Sequence, residues 1–361
     1  MGSDSAKRDS ALQRPTRRQV LGAALGATLA PMLPAAARAA TPPGDDAAPP
    51  RPTTTAPADE PLATQPAEPV SNPSPWWMQR SGPRSRVVEV NSRLVLRSSV
   101  VDVVTLVEMM DQGLLALTSA GDLREAWRSV LNGAQQVAVK FNSVGAELIA
   151  TNAAIARVLV DSLRRAGLPM RAITLVEAPE HLADELGTGQ PRAGWAEMIR
   201  VGSTVESLAR YFVDADAVIN VGTLKTHQIA GMSGCLKNIS HAVIRRPGRY
   251  HANGCAPFVG HVVGAPPVSS RLRLNVLSAL RVVIDGGPDA AEEQLASGSA
   301  VLMSFDPVAV DSVGLGLLSV ERRRRGLTKE LHVPYLAAAG SDGVGRWHAA
   351  DVEHIALQLE S

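Results

Sequence analysis

Residues 216–240 read DAVINVGTLKTHQIAGMSGCLKNIS, and the first part of this stretch decides the predicted fold. Residues 216–222 form an apolar run that is rich in β-branched side chains and hardly alternates with polar ones. Such a run is typical of a strand that is buried on both faces of a sheet. Two lysines, two threonines, a histidine and two glycines follow it, so this strand is expected to end in a cluster of polar groups.

Strand and helix patterns alternate on both sides of this stretch. Four further apolar runs have the length of a strand: 135–142, 172–178, 280–287 and 299–305. The residues between and after them predict three helices: 152–168, 205–215 and 306–326. Parallel strands need crossover connections, usually helices, that cover the faces of the sheet. The sequence therefore predicts an α/β domain of three layers, with a mostly parallel sheet and helices on both faces.

The first 39 residues, 1–39, are predicted to be a twin-arginine signal peptide. Arg17 and Arg18 precede an apolar stretch, and Ala-Arg-Ala at 37–39 fits a cleavage site. A membrane anchor is the alternative, but the stretch is short for a span and is interrupted by glycines and prolines. We therefore expect the twin-arginine translocation machinery as a partner, a periplasmic or extracytoplasmic location, and no stable membrane span after processing.

Two segments follow the leader. Residues 40–78 are rich in proline, alanine and threonine and hold few large apolar side chains, so they are predicted to be a disordered linker. Residues 79–361 carry the alternating pattern and are predicted to form a single α/β domain.

Composition excludes several classes of function. The chain has 36 Lys and Arg residues against 35 Asp and Glu, and aromatic residues make up 3%, so no nucleic acid partner is expected. Cys235 and Cys255 are the only cysteines, which makes an iron–sulfur cluster unlikely and leaves the cofactor unknown. The two cysteines allow either a disulfide or two buried thiols, and the sequence leaves both open.

Polar residues stand where the predicted strands stop. In open parallel sheets, ligands bind beyond the carboxyl ends of the strands. Lys140 ends one strand and Lys225 follows another, so an anion is expected between them. Gly231 and Gly234 precede a predicted helix, whose free N–H groups would suit a phosphate or carboxylate.

The candidate residues fall into two groups. His227 and Asp285 are the predicted catalytic, proton-handling groups, because each stands at a strand end and can carry a proton. Asp311 lies in an otherwise apolar helix and is expected to pair with a site lysine, whereas Asp306 is explained as the cap of that helix. The predicted ligand-binding residues are Lys140, Asn142, Lys225, Thr226, Gly231, Gly234, Lys237, Asn238, His251 and Asp311.

A second interpretation concerns metals. His241, His251 and His261 lie at ten-residue intervals, and Cys255 falls among them. Their spacing matches no standard zinc pattern, so no metal ligand is assigned. The leading hypothesis is an exported protein that binds an anionic small molecule, with acid/base catalysis as a further step. The alternative is a non-catalytic periplasmic protein that binds a ligand or a metal.

Several motifs together resemble a known family. They occur in the order VAVKFN, INVGTLKTHQIAGMSGCLKN, RYH, VVIDGGP, SFDPVAVDSV and YLAAAGSDGVG. In this order they resemble the family called domain of unknown function 362, over roughly residues 135–350. Relatives often carry a ferredoxin-like domain, which implies an electron-transfer role for them. This sequence lacks the cysteines of such a domain, so that role is not carried over. Gly-Gly-Pro follows Asp285 at once, where relatives have a longer loop.

Overall fold

The computed structural model describes residues 73–359 of the chain. The predicted signal peptide, and the predicted linker up to residue 72, lie outside the described residues. Those described fall within the unit Asp59–Ser361. A short helix already begins at Trp76, and Trp77 is fully buried. Ordered structure is therefore present inside the predicted linker, because the indole of Trp77 packs in the core and donates to the carbonyl of Val344 at 2.8 Å.

The described residues contain the following strands: β1 (Ser85–Asn91), β2 (Leu96–Arg97), β3 (Val100–Val101), β4 (Val137–Lys140), β5 (Ile173–Val176), β6 (Trp195–Val201), β7 (Thr204–Ala209), β8 (Ala217–His227), β9 (Gly231–Ser233), β10 (Leu272–Val283), β11 (Leu295–Ser304) and β12 (Val352–Gln358). They also contain these α-helices: α1 (Trp76–Arg80), α2 (Val103–Thr118), α3 (Leu123–Leu131), α4 (Ala146–Ile149), α5 (Asn152–Arg165), α6 (His181–Leu186), α7 (Arg210–Val213), α8 (Cys235–Ala242), α9 (Phe258–Gly264), α10 (Pro266–Ser269), α11 (Pro307–Arg324) and α12 (Pro334–Ser341).

The main sheet has the strand order β12-β1-β11-β10-β8-β4-β5, and β9 pairs with the outer part of β8. Neighbouring strands are parallel except at β11, which is antiparallel to both β1 and β10, and at β9. The prediction of a mostly parallel sheet is confirmed. β11 runs the other way because no long helix separates it from β10, so the chain turns back directly.

Helices cover both faces of the sheet, as expected for a three-layer α/β fold. Gly113 of α2 lies against Met303, whereas Gly314 of α11 lies against Leu277. Leu277 is in register with Leu302, the neighbour of Met303 along β11. Adjacent residues of a strand point to opposite faces, so the two helices pack on opposite sides.

β8 is longer than the sequence predicts, and this extension builds the site. Lys140 ends β4 in register with Asn220, but β8 continues for another seven residues to His227. β9 pairs antiparallel with this extension and places Ser233 beside Lys225. The predicted strand end at 222 is therefore wrong, because pairing with β10 at Thr223 and with β9 at residues 225–227 keeps this stretch extended.

The predicted helix at 205–215 is also largely wrong. β7 occupies Thr204–Ala209 and pairs antiparallel with β6, so only one helical turn, α7, remains. Pairing with β6 outweighs the helical spacing of the apolar residues, which shows tertiary context overriding local pattern.

No single helix among the described residues is long and apolar enough to cross a membrane. Only α2 and α3 taken together satisfy length and composition, and a bend of 62° separates them.

Candidate anion site at the strand ends

A cavity of about 380 Å³ lies at the carboxyl ends of β4 and β5, beside the extension of β8. Helix α8 and the loop after it form the other walls. The residues that line it are Lys140, Asn142, Ser143, Val144, Glu177, Lys225, His227, Ser233, Lys237, Asn238, His241, Ala242, Pro247, His251 and Pro288. Seven of the twelve predicted site residues are among them, which places the cavity where the strand ends predict it.

Three lysines converge on this cavity and are almost completely buried. Lys140 and Lys225 are each 1% exposed, and Lys237 is 7% exposed. The whole chain contains only five lysines among its 36 basic residues. Three of the five therefore share one cavity, which is not expected of lysines scattered over a protein surface. The scarcity of lysine is a signal in the sequence that points to these residues independently of the strand ends.

The ammonium groups have different partners. Lys140 Nζ donates to Asn238 Oδ1 at 2.6 Å and lies 3.4 Å from a carboxylate oxygen of Glu177. Lys225 Nζ donates to Asn142 Oδ1 at 3.0 Å and to the carbonyl of Val144 at 2.5 Å. Lys237 Nζ makes neither a hydrogen bond nor an ion pair with the part of the chain that the structure describes. The three ammonium groups are therefore not all paired with protein groups, and the positive charge in the cavity is not fully compensated.

Burial and mutual repulsion weaken the hold of these lysines on their protons. Burial lowers the pKa of Lys140 to about 8, and the charge of Lys237 adds to the effect. Burial lowers the pKa of Lys225 to about 8 as well, with Lys237 and Lys140 as further causes. Burial also lowers the pKa of Lys237. Such an arrangement of like charges favours a bound anion and brings the amines close to proton exchange at neutral pH.

Glu177 supplies the carboxylate of the cavity wall and was not among the predicted site residues. Its Oε2 atom accepts hydrogen bonds from the backbone N–H of Ser143 at 3.1 Å and from the hydroxyl of Ser143 at 2.8 Å. The backbone of Glu177 has φ 53°, in the left-handed region that costs a non-glycine residue about 1 to 2 kcal/mol. Strain of this kind concentrates at functional sites. The signal in the sequence is its position directly after β5.

A chain of buried amides fixes the floor of the cavity. Asn238 Nδ2 donates to Asn220 Oδ1 at 2.8 Å, and Asn220 Nδ2 donates to Asn275 Oδ1 at 2.9 Å. Asn275 Nδ2 then donates to the carbonyl of Phe305 at 3.1 Å. Because Lys140 donates into the same chain, its position is coupled to three strands and to α8.

His227 lines the cavity, but its ring nitrogens have different roles. Nδ1 accepts the backbone N–H groups of Ile229 at 3.2 Å and of Ala230 at 3.3 Å, which closes the β8–β9 turn. Burial lowers the pKa of His227 to about 4, and Lys237 and His251 add to this. The ring is therefore neutral at pH 7 with its proton on Nε2, so it is a hydrogen-bond donor rather than a base.

Two more histidines stand at the wall of the cavity. The ring centres of His241 and His251 are 4.8 Å apart, and those of His251 and His227 are 6.0 Å apart. His241 was not a predicted site residue, although it falls in the ten-residue series. Burial lowers the pKa of His241 to about 2, and Lys237 contributes.

A buried carboxylate holds the loop that carries His251. Glu206 on β7 is 1% exposed, and its Oε1 atom accepts from Tyr250 Oη at 2.9 Å and from Arg249 at 3.2 Å. Arg246 lies 3.4 Å from the same oxygen. The residues before His251 are thus attached to the β6–β7 hairpin, which holds His251 over the cavity.

The glycine-rich start of α8 faces an internal anion. Asp311 on α11 accepts the N–H of Cys235 at 2.6 Å and that of Leu236 at 2.9 Å. A Cβ atom on Gly234 would lie 2.4 Å from an Asp311 oxygen, and one on Gly231 would lie 2.0 Å from a backbone carbonyl. These glycines therefore serve close packing, and neither lines the cavity.

The prediction that Asp311 pairs with a site lysine is wrong, because its carboxylate binds the backbone N–H groups of Cys235 and Leu236 instead. Its carboxylate caps α8 and makes no ion pair with a site lysine, because the helix N-terminus already supplies two donors. Burial raises the pKa of Asp311 to about 7, although the two N–H donors oppose the shift. Asp306 caps α11 as expected and accepts from Val308 and Ala309.

Asp285 and Thr226 also lie outside the cavity wall. The side chain of Asp285 is 52% exposed and lies 3.4 Å from the guanidinium of Arg322. It is directed to α11 rather than to the lysines. The hydroxyl of Thr226 accepts the N–H of Gly287 at 3.1 Å, which holds the loop that brings Pro288 to the cavity.

The two cysteines are both free and buried. The disulfide that the sequence left open does not form in this structure. Cys255 instead lies near His241 and His251, and the ligand atoms of the three residues lie within 4.8 Å of one another.

Comparisons with known proteins bear on the family and the fold. The family described as "Domain of unknown function (DUF362)" matches residues 195–316, which supports the resemblance over that part of the chain. A search of curated proteins finds no match. The lactate racemase apoprotein from Thermoanaerobacterium thermosaccharolyticum is 11% identical at a TM-score of 0.37, covering 63% of this chain and 55% of its own. A crystal structure of a protein from Thermotoga maritima is 13% identical at a TM-score of 0.32, covering 63% and 59%. The chain thus spans less than two thirds of either structure, and likenesses this weak carry no argument about activity.

Proposed function

We propose that this protein binds an anionic small molecule, a carboxylate or a phosphate ester, in the cavity between Lys140, Lys225 and Lys237. The observation that carries the proposal is the imbalance of charge among the lining residues. Three buried ammonium groups and one carboxylate, that of Glu177, line the cavity, and the carboxylate of Asp289, outside the lining, also acts on Lys225. The histidines are neutral at pH 7. An anion would compensate that excess and would accept hydrogen bonds from Lys237 Nζ and from His227 Nε2.

The choice of lysine supports chemistry beyond binding. Arginine keeps its proton in proteins, whereas a buried lysine can release it. Lys140 and Lys225, with pKa values of about 8, are suited to donate or accept a proton near neutral pH. We therefore assign acid/base catalysis to these lysines, in place of His227 and Asp285.

Anion binding can be measured with simple probes. Sulfate, inorganic phosphate and malonate are titrated into the purified protein, and the midpoint of thermal unfolding and the heat of binding are recorded. At least one probe is expected to raise the midpoint, and Lys237→Met should weaken its binding at least tenfold. Lys237→Met is the best variant, because the lost ammonium has no partner among the described residues, so the fold is expected to stay intact. Lys329→Met, an exposed lysine, is the matched control.

Two outcomes would contradict the binding proposal. One is that no probe changes the unfolding midpoint, and the other is that both lysine variants lose affinity equally. Catalysis is tested separately by the exchange of the methylene hydrogens of malonate in D2O, measured by NMR. Acceleration that disappears in Lys140→Met but not in Lys329→Met supports the acid/base step. No acceleration would remove that step and leave the binding proposal in place.

We also propose that the protein is exported by the twin-arginine pathway and acts outside the cytoplasm. The support is the leader, 1–39, with Arg17 and Arg18 ahead of an apolar stretch. The double variant Arg17→Lys, Arg18→Lys should accumulate uncleaved in the cytoplasm of the host, whereas the parent should be recovered shortened outside it. Recovery of both in the same fraction would contradict export by this route.

A further inference from the structure

We propose that His241, His251 and Cys255 form a binding site for a single zinc ion at the wall of the lysine cavity. Their ligand atoms all lie within 4.8 Å of one another. His241 lies on α8, and the other two belong to the loop between α8 and α9. The proposed zinc site is a property beyond anion binding, and the site can exist whether or not the cavity binds an anion.

The unsatisfied nitrogen of His241 is the observation that points to a metal. Its Nδ1 atom lies 2.9 Å from the hydroxyl of Ser240, which fixes the orientation of the ring. Its Nε2 atom is buried and has no hydrogen-bond partner among the described residues. A buried ring nitrogen without a partner is costly, and binding of a metal to it removes that cost. Metal-binding histidines typically have their other nitrogen held in this way.

The loop presents Cys255 toward the same point. Cys255 is fully buried, and its backbone has φ 70°, as part of a left-handed run with Asn253 and Gly254. This run turns the chain so that the thiol faces inward instead of toward solvent. Glu206 holds the start of the loop through Arg249 and Tyr250, so both loop ligands are fixed in place before a metal binds.

The donor set selects the metal. Two imidazoles and one thiolate suit zinc, which binds sulfur at about 2.3 Å and nitrogen at about 2.0–2.1 Å. A tetrahedral site with these lengths needs its donor atoms about 3.3–3.6 Å apart, so small side-chain rotations from the present arrangement suffice. Burial raises the pKa of the Cys255 thiol, and the nearby ammonium of Lys237 opposes that shift. Binding of the metal displaces the thiol proton, and the resulting thiolate offsets one of the two positive charges of the ion.

Three protein ligands leave the fourth position of a tetrahedral ion free. Zinc sites of that kind hold water or substrate at the open position. His241 and His251 both line the cavity, so that position would face the three lysines. On the proposed function, an anion held by the lysines would be within reach of the zinc.

The test uses metal alone, with no anion present. The full-length protein, stripped of metal, is titrated with Co2+, which takes zinc sites and reports a thiolate ligand by a charge-transfer band in the near ultraviolet. One Co2+ per chain with this band is expected, and Zn2+ should abolish the band by displacement. Cys255→Ser should remove the band, and His241→Ala or His251→Ala should weaken binding at least tenfold. Cys235→Ser, the other buried free thiol, is the matched control and should keep the band.

The other possible results of the cobalt titration also test the zinc site. Absence of the band in the parent protein, or its persistence in Cys255→Ser, would overturn the zinc site. Equal loss in Cys235→Ser would show that the spectrum reports folding rather than coordination. If Cys255→Ser fails to fold, His251→Ala carries the test, since His251 lies on the loop and is only half-buried. Failure of the anion titrations with an intact cobalt spectrum would remove anion binding and leave the metal site standing.

Discussion

Lys140 Nζ and Asn238 Oδ1 are 2.6 Å apart, and this contact joins the last residue of β4 to helix α8. Asn238 also accepts from Asn142 at 3.1 Å and donates to Asn220 at 2.8 Å. One amide therefore satisfies a cation and two amides in a region shielded from water. The position of the lysine depends on this amide as much as on its own strand.

Replacement of Asn238 by alanine should destabilise the fold. Asn238→Ala leaves the ammonium of Lys140 and the Oδ1 atom of Asn220 without these partners, and a buried unsatisfied group costs about 1 to 3 kcal/mol. We expect the free energy of unfolding, measured by urea denaturation, to fall by about that amount. Gln135→Ala removes an exposed amide and should change it by less than about 0.5 kcal/mol. An equal effect of both would show that the amide chain adds nothing to stability.

Anion binding should weaken as the pH rises. A lysine attracts an anion only when protonated, and Lys140 and Lys225 have pKa values of about 8, so both lose their charge between pH 7 and pH 9. Glu177, Asp289 and Lys237 also face these lysines. Sulfate keeps a constant charge over this range, so its affinity reports the protein alone. Calorimetry at pH 7, 8 and 9 should show at least a tenfold loss, and a flat profile would contradict the lowered pKa values.

Two glycine substitutions should have opposite effects on stability. In Gly234→Ala the new methyl group would lie 2.4 Å from Asp311 Oδ1 and displace the carboxylate that caps α8. Overpacking of this kind costs about 1 to 3 kcal/mol. Gly316→Ala, in the middle of α11, meets no atom within 4 Å and should gain about 1 kcal/mol from helix propensity. The midpoints of thermal unfolding of the two variants are compared with that of the parent. Destabilisation by both substitutions would contradict the open space around Gly316.

Glu206→Gln should loosen the loop that carries His251 and Cys255. The carboxylate is fully buried at its side chain and faces Arg246 and Arg249, so the neutral amide leaves their charges without compensation. Hydrogen exchange at residues 247–255 should become faster, with protection of β8 unchanged. The affinity for Co2+ should fall with it. Unchanged exchange in the loop would mean that other contacts hold it.

The local pattern of apolar residues in the sequence was sufficient to predict the three layers of the fold. Apolar runs without alternation gave the strands β4, β5 and β8, and the three-layer arrangement follows from the helices between them. The extension of β8 has no local signal in the sequence, because most of its residues are polar and stay extended through pairing with β9 and β10. The hairpin of β6 and β7 was missed for a similar reason, since pairing along the sheet overrides helical spacing.

The candidate site was predictable where it depends on strand ends and not where it depends on distant contacts. Lys140, Lys225 and Lys237 meet because β4 ends, β8 extends and helix α8 begins at one edge of the sheet. The role of Asp311 rests on contacts with residues 75 and 76 positions away, which no local pattern reveals. Asp285 also stands at a strand end, but its carboxylate is directed to Arg322 on the neighbouring helix.

The rarity of lysine has a practical consequence for spectroscopy. A protein grown with isotope-labelled lysine would give at most five side-chain signals, because the sequence holds five lysines. Three of these signals would come from the cavity, and substitution of each lysine in turn would assign them. The protonation of each cavity amine could then be followed one atom at a time in the intact protein, including while sulfate or zinc is added.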